Sequence, residues 1–322
     1  MDSSKQKKVK IFGVPIDLGS RPMGVEMGPM AIRYAGLAEA LHFNEIEYVD
    51  HGNLRVDRQN CQRDSLKEIA RVSNELAELV RDSVESGYIP IVLGGDHSAS
   101  IGSIAGASKA SQRLGLIWLD CHPDANTPET SPSGNVHGMT VAISLGYGPP
   151  ELVQCSGSSP KVLPEDVCII GAKDIDPGER KLLDDLGVRM YTLFDIQRLG
   201  IVQVMEEAIG IVTKKTDRVY VSFDLDVLDP LIAPGTGILS RGGLSYREIS
   251  YIMQSLGQRD LIGSIDLIEV NPLLDIRNQT SELAVELLLS GLGRSYGDYE
   301  RYYLTQGSIL SNEAGNGVRK RL

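Results

Sequence analysis

Three stretches of the 322-residue chain end in bursts of side chains suited to binding hard cations. IPIVLGGDH closes on Asp96 and His97, LGLIWLDCHPD on Asp120, His122 and Asp124, and VYVSFDLD on Asp224 and Asp226. Extended chain repeats every two residues, so Asp120, His122 and Asp124 point one way, as do Asp224 and Asp226. Carboxylates packed at one mouth repel one another unless a cation neutralises them, and the charge of four aspartates matches that of two divalent ions. Two imidazoles among four carboxylates form a mostly hard, oxygen-rich set. Manganese suits it best, iron, cobalt and nickel are compatible, and a closed thiolate zinc site is not. The chain has only five histidines, and two of them lie in these bursts. A single Asp-x-Asp at a strand end is often a helix cap or a turn. Three such bursts, each after an apolar run, read instead as one metal centre. Strand alternation turns Cys121 away from Asp120 and His122, into the packing of the sheet as a small buried thiol.

The elements that must position these groups alternate along the chain. Short β-branched runs at 9–14, 89–93, 114–119, 167–170, 219–223 and 261–270 are apolar on both faces, as buried parallel strands are. Helical patterns separate them. The clearest spans 65–86, with Leu66, Ile69, Leu76, Leu79, Val80 and Val84 on one face, a capping box of Ser65 with Glu68, and Gly87 as a left-handed stop. Others run near 179–187, 201–213, 245–256 and 280–292. Such alternation predicts a three-layer α/β/α sandwich with a central, mainly parallel sheet, and in that architecture sites form outside the carboxyl ends of the strands. No repeat, low-complexity block or linker divides the chain, so residues 1–322 read as a single domain. Within it, 1–8 are expected to be disordered, and 293–322 form a tail whose Tyr296, Tyr299, Tyr302 and Tyr303 could pack on a neighbouring subunit.

Composition sets outer bounds. With 32 basic and 43 acidic side chains the formal net charge is −11, which disfavours phosphate backbones and anionic bilayers, so no nucleic acid and no membrane partner is expected. No stretch approaches the roughly 20 apolar residues of a spanning helix, and MDSSKQKKVKIFGVP lacks the apolar run of a signal peptide. The four cysteines form no C-x-x-C pair and no disulfide framework. A cytoplasmic location is the expectation.

GGDHSASIG (94–102), DCHPDANTPETSPSGNVHGM (120–139), GAKDIDPGE (171–179), SFDLDVLDP (222–230), GGLSYRE (242–248) and IEVNP (268–272) together resemble the ureohydrolase family, its arginase branch in particular. They follow the family's order across nearly the whole chain. The resemblance implies an eight-stranded parallel sheet between helical layers and a dinuclear manganese centre that hydrolyses guanidinium groups to urea. His97, Asp120, Asp124 and Asp224 resemble the ligands of the first ion, and Asp120, His122, Asp224 and Asp226 those of the second, with Asp120, Asp224 and a hydroxide bridging the two. A shared water of this kind becomes a nucleophile near neutral pH. By the same resemblance Asp124 takes the hydroxide's proton, His137 shuttles a proton and Glu269 holds the guanidinium. Asn126, Ser133 and Asn135 would receive the α-carboxylate of an amino-acid substrate, and Asp176 and Glu179 its α-ammonium.

The implied reaction is hydrolysis of L-arginine to L-ornithine and urea by a homotrimer or homohexamer. The alternatives are another ureohydrolase, acting on agmatine, guanidinobutyrate or a related guanidino compound, and a catalytically silent homologue. A zinc deacetylase of similar architecture would need adjacent histidines, and the chain has no His-His pair. Four residues depart from the arginase pattern. Cys121 replaces a usual alanine, and Pro123 is uncommon at its place. Ile238 and Leu239 stand where threonine and proline are usual, and that threonine neighbours the guanidinium-binding glutamate. Ser240 or Thr236 are the candidates to replace its hydroxyl.

Overall fold

The computed structural model describes residues 7–20, 23–57 and 65–294. Eight strands form its centre: β1 (Lys8–Val14), β2 (Glu47–Asn53), β3 (Ile89–Gly94), β4 (Leu114–Leu119), β5 (Val167–Ala172), β6 (Arg189–Thr192), β7 (Arg218–Asp224) and β8 (Ile262–Ile268). They join in one sheet of order β2-β1-β3-β8-β7-β4-β5-β6, every pairing parallel. The first strand opens at Lys8, paired with Glu47, so residue 8, expected to be disordered, belongs to the sheet. Residues 1–6 and the tyrosines of the tail lie outside the described residues.

Side chains leave the strands alternately, and each set finds a helical layer. One layer holds α1 (Gly28–Tyr34), α2 (Leu37–Phe43) and, further along the chain, Leu193–Leu199, Ile201–Val212, Tyr246–Gln258 and Gln279–Gly291, packed on Ile11, Ile117, Leu119, Val221 and Leu267. The other holds α3 (Ser65–Glu85), α4 (Ala99–Lys109), α5 (Thr140–Ser144), α6 (Pro150–Val153) and α7 (Pro177–Leu186), packed on Phe12, Val92, Leu116, Trp118 and Ile169. Ile69, Val72, Leu76 and Val80 are the buried stripe of α3, which ends before Gly87 at φ 80°. Its Glu68 accepts the backbone N–H of Asp57 and pairs with Arg71 at 2.7 Å. Among the described residues no helix is long and apolar enough to cross a membrane.

The strand order decides where chemistry collects. β3, β8, β7 and β4 are neighbours at the middle of the sheet, and His97, Glu269, Asp224 and Asp120 follow or end them. Parallel strands put all four carboxyl ends on one edge, so groups 172 residues apart in sequence share a hydrogen bond there.

Candidate metal centre

His97 is the hub of the cluster. Its Nδ1 lies 3.0 Å from Asp120 Oδ2, 3.1 Å from Asp124 Oδ2 and 3.2 Å from Asp224 Oδ2. The ring is 1% exposed, yet this nitrogen makes no hydrogen bond, because none of the three oxygens is aligned to accept one. Around a divalent cation with bonds of about 2.1–2.3 Å, neighbouring ligand atoms stand about 3.0–3.3 Å apart. The spacing therefore fits donors that surround an ion. The other ring nitrogen, Nε2, lies 2.8 Å from Ser222 Oγ, which donates to Asp266 Oδ1 at 2.8 Å. A proton on Nε2 satisfies that contact and leaves the Nδ1 lone pair for a metal. Trp118 stacks on the imidazole, with centroids 4.1 Å apart, and donates its indole N–H to Asp120 Oδ2 at 3.1 Å.

Asp120 reaches both ways. Its Oδ2 faces His97, while Oδ1 lies 3.4 Å from His122 Nδ1 and accepts the His122 backbone N–H. Asp226 Oδ2 stands 3.1 Å from the same His122 nitrogen. Asp224 divides its oxygens differently: Oδ2 faces His97, and Oδ1 accepts the backbone N–H of Asp226 at 2.7 Å. Two donor groups result, His97–Asp120–Asp224 and Asp120–Cys121–His122–Asp226, with Asp120 common to both.

Cys121 is a buried thiol, as expected, but it faces the ligand cluster and not the packing of the sheet. β4 ends at Leu119, so the period of two no longer holds at Cys121. Its Sγ lies 3.4 Å from His122 Nδ1, and the thiol belongs to neither apolar cluster of the core. Burial, with the Asp226 charge, pushes the thiol well above its usual range, so it stays protonated in the protein alone.

Asp124 and Glu269 complete the inner wall from strained backbone. Both are in the left-handed region, at φ 46° and 63°, a conformation that costs a non-glycine residue about 1–3 kcal/mol and is kept where surroundings fix it. The Asp124 carbonyl accepts the Val141 N–H at 2.8 Å, and Glu179 Oε1 accepts the next amide, Ala125 N–H, at 2.9 Å. Glu269 Oε1 accepts the His97 backbone N–H and lies 3.0 Å from His137 Nδ1. A Cβ on Gly237 would sit 2.8 Å from Glu269 Oε2, so a larger residue there would press on the carboxylate.

A cavity of about 440 Å³ opens outward from this wall. Asn126, Ser133, Asn135, Asp176, Glu179, His137 and Ile238 line it, so all the residues expected at the substrate end share one space. Asn126 Nδ2 donates to Asp176 Oδ2 at 2.9 Å, and Ser133 Oγ accepts the Asn135 backbone N–H at 3.2 Å. Glu179 is already engaged: Oε1 takes Ala125 N–H, and Oε2 takes the Asp176 N–H that opens α7. Neither candidate for the missing hydroxyl reaches Glu269. Thr236 donates to the Ile238 carbonyl, and Ser240 donates to Asp174 Oδ2 while accepting from Lys173.

Burial raises the carboxyl groups of Asp224 and Asp226, and burial with the Asp120 charge lifts Asp124 from its ordinary 3.8 to about 6. Groups that hold protons more tightly when folded stabilise fully below about pH 4, and that contribution is lost as pH rises through about 6. Protein stripped by a chelator is thus expected to lose stability through Asp124 as pH rises across that window. Urea melts at both ends of the window check it; equal stability contradicts it.

Four residues of this neighbourhood escaped sequence reasoning: Trp118, Ser222, Asp266 and Gly19. Trp118 and Ser222 each precede a ligand candidate by two positions, so the period that aligned the aspartates could have found them.

A family model described as "Arginase family" matches residues 7–293. The arginase of Bacillus caldovelox is 47% identical over 294 residues, covering 89% of this chain and 98% of that protein. The crystal structure of arginase from Bacillus subtilis superposes with a TM-score of 0.86 at 44% identity, over 90% of this chain and 100% of that one. Arginase from Bacillus cereus also gives 0.86, at 46% identity over 90% and 99%.

Proposed function

As the chain belongs to the arginase family, we propose that it hydrolyses L-arginine to L-ornithine and urea at a centre of two manganese ions. The orphaned, buried Nδ1 of His97, ringed by three carboxylate oxygens, carries this reading. His97, Asp120, Asp124 and Asp224 would hold one ion, and Asp120, His122, Asp224 and Asp226 the other. The pair supplies a solvent molecule acidified enough to attack near neutral pH. Oxygen and imidazole donors in these proportions favour manganese.

The remaining steps belong to the chain's own side chains. Glu269 receives the planar, cationic guanidinium with its free Oε2 edge. Asp124, at the junction of the ligand cluster and the cavity, accepts the attacking solvent's proton. His137, 3.0 Å from Glu269, passes a proton to the departing amine. At the outer end Asn126, Ser133 and Asn135 receive the α-carboxylate, and Asp176, braced by Glu179, the α-ammonium. Subunits of this family are proposed to assemble as homotrimers or homohexamers, in the cytoplasm.

Release of urea and ornithine from arginine by manganese-loaded protein tests the reading. Failure with arginine, coupled with turnover of another guanidino compound, would overturn it. Ile238 faces the cavity at 40% exposure, and the hydroxyls of Thr236 and Ser240 donate to the Ile238 carbonyl and to Asp174. Ile238→Thr is expected to raise kcat/KM for arginine about fivefold, the worth of one hydrogen bond of about 1 kcal/mol. Steady-state kinetics on both proteins decides this, and an unchanged ratio would make the departure neutral.

A further inference from the structure

Beside the metal ligands lies a carboxylate that the proposed reaction leaves unused. Asp96 is fully buried, immediately before His97, and its oxygens serve backbone groups. Oδ2 accepts the Gly19 N–H at 2.7 Å, while Oδ1 accepts the Ser98 N–H at 3.0 Å and its hydroxyl at 2.5 Å. The Asp96 N–H in turn donates to the Ile16 carbonyl at 2.8 Å. The segment running on from β1, residues 16–20, is thereby clamped onto the turn after β3. Its outer side is not idle. The Gly19 carbonyl accepts the backbone N–H of His137 at 3.1 Å. Gly19 fits this narrow place because a Cβ would stand 2.9 Å from both Asp96 Oδ1 and Ser98 Cβ.

An anion accepting a backbone amide away from water holds it more firmly than a neutral acceptor does. The clamp therefore fixes the peptide on the amino side of Gly19, and the peptide on its carboxyl side carries the carbonyl that holds His137. We infer that Asp96 is a positioning residue: through Gly19 it sets the backbone from which His137 reaches Glu269. The inference rests on the proton-transfer role proposed for His137. A second tether, the Thr140 hydroxyl donating to the carbonyls of His97 and His137, limits what Asp96 alone controls, so its loss displaces His137 without freeing it.

Asp96→Asn puts an amide against donors that both oxygens now accept, and misplacement by about 1 Å costs a reacting group up to about 100-fold. The expected loss in kcat for arginine is about 10- to 100-fold, with two manganese ions per chain retained. In a His137→Ala background the same change should alter kcat by less than about twofold, since only the placement of the missing imidazole was at stake. Gly19→Ala reaches the same clamp without touching the neighbour of His97, and should repeat the pattern. It keeps the test decisive if Asp96→Asn folds poorly. Losses that multiply undiminished onto His137→Ala overturn the inference and leave the role of His137 standing. A wild-type kcat in His137→Ala overturns both. Fewer than two ions in the soluble variants would locate the effect at His97 and overturn the inference as well.

Discussion

Asp124→Ala is expected to lower kcat for arginine by about four orders of magnitude or more and to leave fewer than two ions per chain. Two losses combine in that figure. The carboxylate 3.1 Å from His97 Nδ1 is one of three that surround the orphaned nitrogen, so its removal opens the coordination there. The same oxygens are those proposed to take the solvent proton, and a positioned general base is itself worth about 10²–10⁴ in rate. Backbone strain provides a control. At φ 46° glycine is the unstrained residue, so Asp124→Gly should be more stable than Asp124→Ala and equally inactive. Metal analysis, melting curves and urea release on both variants check the three parts. Substantial turnover in either variant would remove Asp124 from the chemistry.

The second large effect concerns substrate choice. Arginine is expected to exceed agmatine in kcat/KM by about 10³ or more. The outer cavity offers Asn126, Ser133 and Asn135 beside Asp176, groups that an amino-acid end would engage and a bare aminobutyl chain would leave unpaired. A site built around polar partners rejects an analogue lacking them by about 10⁴–10⁵. Some of that penalty is relieved here, because Asn126 and Asp176 already bond to each other at 2.9 Å and are not orphaned by agmatine. Comparison of the two substrates at matched manganese settles it. A ratio near one would move the assignment to a ureohydrolase of decarboxylated substrates and leave the metal centre intact.

How far the sequence disclosed this molecule depended on which physical signal each part emits. The six buried strands of the middle sheet are continuous apolar runs, and their alternation with helices announced a layered parallel sheet. β2, with the polar sequence EYVDHGN, and the four-residue β6 are the edge strands, where no second neighbour demands apolar side chains; both were missed. α4, ASIGSIAGASK, was missed for the opposite reason, since small residues buried nearly all round leave no amphipathic stripe. At the centre, ligand-forming residue types at strand ends were conspicuous, and the fold brings all six together. Cys121 faces the ligands because it lies two residues beyond the end of β4, where the alternation of a strand no longer applies. Glu179 lines the cavity where it was expected, and each of its oxygens also accepts a backbone amide, a bracing role that residue type alone does not disclose. The hydrogen bonds from His97 to Ser222 and from His137 to Gly19 join segments with no common sequence pattern, and only the folded chain reveals them.

The decisive measurement is anomalous diffraction at the manganese edge from crystals of the manganese-loaded protein. Two peaks about 3.5 Å apart are expected, one beside His97 Nδ1 and the other beside His122 Nδ1, with Asp120 touching both. A single peak, or a pair bound away from these two imidazoles, would contradict the two-ion centre on which the proposed hydrolysis depends.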